Sequence, residues 1–343
     1  MGIKRVTYPI EKKIVFLDNT TQRIDLPTSG YITHLSLLFK LQYTVAANVS
    51  TFYEDAFARL IKSIKISASG GKNYLNITDG RQLQYFNYIR YKGHLQGNAP
   101  DNVPSNSVAA NKIAYFEIPI HLGFAPLNKY DPSVVIPAVR LNNLELAIAW
   151  GEVEDCDDSG NATIIQTSGT SEVTVMVNEL VLDRGTVEEQ VWRGGILEPR
   201  FEPVIVNHDA EYSNLGLEKD MPTGDTLVET LVMPLISLLA AQDGSDVRSD
   251  ASIDRLGIKF PKKRETPFEA EWLSLKAMTR AKYQLPADLP GVILFNWEEI
   301  SSKAEGIDLT LAQIGDVRMG FTSHSGVDVT PAAKIHLLHY MVG

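Results

Sequence analysis

An alternation of apolar and polar side chains with period two constrains this chain more than any other feature of its sequence. Leu144, Leu146, Ile148 and Trp150 alternate with Glu145, Ala147 and Ala149. Val173, Val175 and Val177 alternate with Thr174 and Met176, and Leu309 and Leu311 flank Thr310. In an extended strand successive side chains point to opposite faces. Each run therefore buries one row and turns the other outward, the mark of a half-buried antiparallel strand. Breakers stand between the runs: Ser69-Gly70-Gly71, Asn98-Ala99-Pro100-Asp101, Asp158-Ser159-Gly160-Asn161, Pro222-Thr223-Gly224-Asp225 and Ser323-His324-Ser325-Gly326. Many short strands with frequent turns predict an all-β chain of sandwiches or barrels.

Helix signals are few. Thr266-Pro267-Phe268-Glu269 has the form of a capping box with proline at the first helical position. It predicts a helix over 267–283 with Phe268, Trp272 and Leu275 on one face and Arg280 and Lys282 near its end. Asp79 with Gln82 predicts a second from Asp79 to Lys92, burying Leu83, Phe86 and Ile89 and stopping at Gly93. A third, shorter one is expected from Thr51-Phe52-Tyr53-Glu54 to near Leu60.

The two halves of the chain read alike. Arg59-Leu60 leads into Ile64-Lys65-Ile66, and Arg255-Leu256 into Ile258-Lys259-Phe260. In each half there follow a helix (79–92 and 267–283), an apolar strand (Ala114 to Ile120 and Val292 to Trp297) and an alternating strand (Leu144 to Trp150 and Ile307 to Ala312). Each half closes on a further strand, Val173 to Leu182 or Lys334 to Val342. The spacing between equivalent segments shrinks along the chain, as loops of different length would make it do if order were kept. With 343 residues there is room for two domains of about 150 residues. The expected organisation is 1–183, a junction at 184–199, and 200–343.

Two tandem strand-rich modules, each with a helix in a long interstrand connection, resemble the double jelly-roll major capsid proteins of icosahedral, usually membrane-containing, DNA viruses. In size and layout the chain resembles the capsid proteins of the turreted icosahedral viruses of archaea. The residues that carry the resemblance run from Leu127-Asn128-Lys129-Tyr130-Asp131-Pro132 through Ile136-Pro137 into Leu144–Trp150, a proline-punctuated loop feeding an alternating strand. The resemblance implies two tandem eight-stranded antiparallel jelly rolls with short helices in the connecting loops. It implies a homotrimer of pseudo-hexagonal outline, made in the host cytoplasm and built into the virion's capsid lattice. Its further partners would be penton and minor capsid proteins and an inner viral membrane. The rival reading is a virion spike or a carbohydrate- or receptor-binding double β-sandwich. Residues 98–111 and 124–140, long connections containing Val103, Val108, Phe124, Leu127, Val134, Val135 and Ile136, are expected to supply intersubunit contact.

Net charge is −10, which disfavours a phosphate backbone as partner and argues against sequence-specific nucleic-acid binding. The first 13 residues depart from this balance, setting Lys4, Arg5, Lys12 and Lys13 against one acid, Glu11. They are expected to form a mobile or extended arm, solvated or laid against a membrane or other anionic inner surface. No apolar stretch of signal-peptide length lies in Met1 to Lys13, so the expectation is a soluble, non-secreted chain.

The catalytic inventory is thin, and neither enzyme nor cofactor is expected. Among the seven histidines only His336 and His339 are close, and on a strand their odd spacing points them to opposite faces. There is no G-x-S-x-G, G-x-x-x-x-G-K-[ST] or H-E-x-x-H. Ser69-Gly70-Gly71-Lys72 reads as a hairpin turn. Glu152, Glu154, Asp155, Asp157 and Asp158 crowd one stretch, and Asp155, Asp157 and Ser159 match the first half of a calcium loop. Its twelfth position is Gln166, so a plain acidic loop competes with calcium there. Cys156, the single cysteine, sits in this acidic run, which should raise its thiol pKa.

Overall fold

The computed structural model describes residues 2–46, 53, 55–93, 109–157, 162–237, 246–301, 306–326 and 333–343. The chain divides into two compact units, Met1–Arg200 and Phe201–Gly343. Residues 184–199 fall inside the first.

The first unit holds eight principal strands: β1 Ile3–Pro9, β2 Thr21–Asp25, β3 Tyr31–Val45, β4 Ile61–Ala68, β5 Asn73–Ile77, β6 Ala109–His121, β7 Leu144–Trp150 and β8 Glu172–Leu182. One sheet has the order β1-β8-β3-β6 and the other β2-β7-β4-β5, and every neighbour within them is antiparallel. This is the jelly-roll order. β7 shows why these residues form strands: Leu144, Leu146, Ile148 and Trp150 are all buried, while Glu145, Ala147 and Ala149 are not. The sheets pack face to face, so that Phe39 of β3 meets Trp150 of β7 edge-on at 6.0 Å. Each such buried side chain contributes about 2 kcal/mol.

The second unit repeats the plan with β9 Pro199–Asn207, β10 Leu217–Asp220, β11 Thr226–Ser237, β12 Ile253–Phe260, β13 Glu265–Glu271, β14 Ile293–Asn296, β15 Arg318–Ser323 and β16 Lys334–Val342. Its sheets run β9-β16-β11-β14 and β10-β15-β12-β13. Each strand number is that of the first unit with eight added, so the two halves share one topology. Accessory strands Ile14–Val15 and Ala162–Ile164 flank the first sheet, and Asp246–Arg248 and Ile307–Asp308 pair with β11.

Four short α-helices are described: α1 Ala56–Arg59, α2 Gly80–Arg90, α3 Glu188–Val191 and α4 Trp272–Tyr283. α2 joins β5 to β6 and α4 joins β13 to β14, the same connection in each unit. α2 follows its sequence signals. Asp79 is the N-cap and accepts from Arg81 N at 2.9 Å, Gln82 Oε1 accepts from Thr78 N, and Gly93 at φ +74° donates to Tyr88 O. Gly80 is required by space, since a Cβ there would lie 2.4 Å from Ala58 O.

Three expectations are corrected. Thr266–Glu269 is not a helix cap but part of β13, with Phe268 opposite Ile258 and Glu269 opposite Gly257; the helix starts at Trp272. The strand wins because Phe268 and Ala270 pack on the core while Glu269 reaches Arg255. Pro267, lacking an N–H, is tolerated because β13 is an edge strand. The run 307–312 is not the counterpart of β7. Only Ile307–Asp308 is extended, Leu309 is buried and Leu311 is 96% exposed, and the equivalent strand is β15. The short helix before Leu60 is confined to Ala56–Arg59, with Thr51, Phe52 and Glu54 outside the described residues.

Candidate functional site

The basic N-terminal residues do not form a loose arm. Lys4 and Arg5 belong to β1, which is extended and hydrogen-bonded to β8, with Lys4 opposite Val181 and Arg5 opposite Leu180. Both side chains are exposed, and the Arg5 guanidinium lies 5.5 Å from the Tyr130 ring. Lys12 Nζ donates to Arg23 O at 3.1 Å. Lys13 pairs with Glu172, and this hydrogen bond holds the Glu172 carboxyl below the usual carboxylate range. An edge strand with two exposed cations at its start can meet an anionic surface. The cations of the following turn are already engaged by their own unit.

The acidic stretch is organised by its own backbone. Glu152 and Asp155 form a capping box around a single 3-10 turn, Val153–Asp155, with Glu152 N donating to Asp155 Oδ2 at 2.9 Å. Asp155 Oδ1 also receives Lys62 Nζ at 2.5 Å. Asp157 is buried and accepts from Ala162 N at 2.8 Å. Both described calcium candidates thus already hold internal donors; Ser159 lies outside the described residues. Among the described residues no three His, Cys, Asp or Glu side chains converge as a metal site. The Cys156 thiol is pushed up, first by burial and then by Asp157 and Asp155.

The connection 124–140 turns much of its apolar content inward. Val134, Val135 and Ile136 are fully buried, held by bridges from Ile136 to Ile32 and from Val134 to Leu197. That corrects the expectation that these three supply intersubunit contact: they complete their own unit. Leu127, 70% exposed, is left outside. Residues 98–108, including Val103 and Val108, lie outside the described residues. All four tryptophans are buried, Trp192 included, whose Nε1 donates to Pro132 O at 2.7 Å. No tryptophan therefore offers a stacking platform for a sugar.

One buried constellation gave no sequence signal. His34 on β3 and His121 on β6 stand directly opposite each other with ring centroids 5.6 Å apart. His34 Nε2 meets Ser36 Oγ at 3.0 Å, while His34 Nδ1 and both His121 nitrogens find no hydrogen-bond partner of good geometry among the described residues. Burial drives both pKa values down, that of His121 to about 3, where Arg90 opposes and Asp131 favours its charge. The anticipated pair, His336 and His339, behaves as its spacing implied. β16 has continuous register between them, so they face opposite ways, and His339 Nδ1 meets Thr230 Oγ1 at 2.9 Å.

No family model matches the chain, and no curated protein matches it in sequence. Solved structures do match in fold. The major capsid protein of Sulfolobus turreted icosahedral virus superimposes with a TM-score of 0.75 at 16% identity, over 99% of this chain and 96% of that one. The capsid of the virus PBCV-1 matches with a TM-score of 0.61 at 11% identity, over 99% and 94%. The major capsid protein P2 of bacteriophage PM2 matches with a TM-score of 0.56 at 10% identity, over 99% and 98%. From its first strand to its last, the chain has the double jelly-roll fold of viral major capsid proteins.

Proposed function

We propose that this chain is a major capsid protein, a structural subunit with no catalytic role, that forms homotrimers and tiles an icosahedral virion shell. The observation that carries the reading is the repeated eight-strand topology, matched over nearly the full length of both this chain and the turreted-virus capsid protein. Two upright sandwiches per subunit give six columns in a ring of three. Six columns approximate a hexagon, and a hexagon tiles positions of local sixfold symmetry with one gene product. Closed threefold symmetry also covers sheet edges that would otherwise template uncontrolled pairing. Its partners are then copies of itself, penton and minor capsid proteins, and an inner membrane; of the four basic residues Lys4, Arg5, Lys12 and Lys13, the exposed Lys4 and Arg5 of β1 are the better placed to approach it. The spike or sugar-binding alternative gains nothing from the buried tryptophans.

Light scattering on the purified full chain tests this. Three times the monomer mass of 38.0 kDa is expected, with triangular or hexagonal particles in negative stain. Isolated elongated monomers in both measurements would sink the capsid reading.

A further inference from the structure

The second unit exposes two large aliphatic side chains beside a basic turn. Leu311 and Ile314 stand 96% and 78% exposed in the connection from β14 to β15. Flexibility does not explain that exposure, because the segment is braced. Buried Leu309 accepts from Gly224 N at 3.0 Å and donates to Asp225 O at 3.2 Å. Ala312 N closes one turn on Leu309 O and Asp316 N another on Gln313 O. Two large aliphatic side chains are held out into solvent on a double turn, where water penalises each of them.

The turn between β12 and β13 lies beside it. Strands alternate in direction through the sandwich, so this turn and the β14–β15 connection emerge at one end, and α4 occupies a connection of the other. Lys262 ties the two together, pairing with Asp316 at 2.6 Å and donating to Gln313 Oε1 at 3.0 Å. Its neighbours Lys263 and Arg264 are exposed, with Lys263 Nζ over the Phe260 ring at 5.5 Å. With Lys262 neutralised by Asp316, Lys263 and Arg264 remain against one acid of the hairpin, Glu265. Asp308 turns back on Thr310, at N and at Oγ1.

We propose that this end of the second unit inserts Leu311 and Ile314 into an anionic lipid bilayer while Lys263 and Arg264 contact its headgroups. Protruding aliphatics with adjacent cations supply the two signals that stable peripheral membrane attachment needs. A protein partner would be better served by a flat or concave apolar face, whereas these side chains stand clear of the surface. The attachment concerns an element distinct from β1, and it does not depend on trimer formation.

Flotation of the full chain with phosphatidylcholine vesicles, with and without phosphatidylglycerol, tests it. Wild-type protein is expected to float with the anionic vesicles and to detach as salt rises. Leu311→Ser with Ile314→Ser should weaken binding roughly tenfold or more, the scale expected for losing two buried aliphatic groups. Lys263→Gln with Arg264→Gln should remove most of the preference for anionic lipid. Leu127→Ser, at a leucine of the first unit that is also largely exposed, should change nothing. All these positions are exposed, so circular dichroism should report native folding throughout. Absence of wild-type flotation, or equal flotation of the Leu311/Ile314 variant, overturns the proposal. So does a variant that floats normally but scatters light as a smaller oligomer, which would assign the surface to contact between copies. Flotation by a protein that fails to form trimers would leave this inference standing and overturn the capsid reading alone.

Discussion

His34 and His121 show how a single residue pair can set the pH range of a whole unit. Both are neutral and buried, and their folded pKa values lie below the ordinary histidine value, His121 at about 3. In the unfolded chain they titrate near 6.5. The unfolded state therefore binds more protons, and stability is complete above about pH 6.5 and falls as pH drops toward the folded pKa. At about pH 5 the loss is about 2 kcal/mol for His121, from 1.36 kcal/mol per pH unit, and His34 shifts stability in the same direction. Arg90, whose guanidinium donates to His121 O and Gly123 O, and Lys129 oppose protonation, and Asp131 only partly offsets them. His121→Gln should accordingly flatten the fall in melting temperature between about pH 7 and pH 5 in fluorescence-monitored melts. Parallel curves for variant and wild type would remove the pair as the cause. Nothing local in the sequence announced these two residues, because only the register of β3 on β6 brings them together. The acidic run behaved differently. Its effect on the Cys156 thiol was legible from neighbours in the chain, and burial adds to it.

At the scale of elements, local signals succeeded where they agreed with packing and failed where they did not. α2 has its cap, its buried face and its glycine stop where the sequence put them. The signals around Thr266 were of the same kind, yet the apolar row of Phe268 and Ala270 made β13 the better way to cover the core. The alternation of Leu309 and Leu311 was misleading for the opposite reason. It matched a strand pattern across a turn, while true β15 is interrupted by Gly320 and shows only Met319 and Phe321 as its inner row. Mutation separates the two readings of 266–272. Thr266→Ala should leave stability within about 0.5 kcal/mol, the range of an exposed surface change, because Thr266 caps nothing. Loss of a true N-cap would cost about 1 kcal/mol. Trp272→Ala, which removes a buried ring and its 2.8 Å bond to Asp250 Oδ1, should cost about 3–5 kcal/mol. Urea titrations of both variants measure the difference, and a Thr266→Ala loss as large as a cap's would return the helix start to Thr266.

For the whole molecule, the repeat was the most legible property, since strand order is written in coarse hydrophobic pattern and survives when residue identity does not. What it could not supply was the use of 124–140 and 184–199. The apolar residues of 124–140 read as intersubunit material and 184–199 as a junction, and both instead close the first unit, through Val134, Val135, Ile136 and Trp192. Two units built on one plan also imply two hydrophobic cores. The core around Trp297, Leu337 and Met319 draws every member from Val204 to Met341, all within the second unit. Leu146, fully buried, lies on β7 of the first unit and Leu337, equally buried, on β16 of the second. Truncating either to alanine removes packing worth about 2–5 kcal/mol, and the cavity it leaves touches neighbours in its own core. Sub-global opening follows cooperative units, so the effect should stay where the cavity is. Hydrogen–deuterium exchange on Leu146→Ala should therefore show lost protection across 2–200 with 201–343 near wild type. Leu337→Ala should show the reverse. Equal loss in both halves from either substitution would mean that the two jelly rolls open as one cooperative body, and the picture of two separately stabilised units would have to be abandoned.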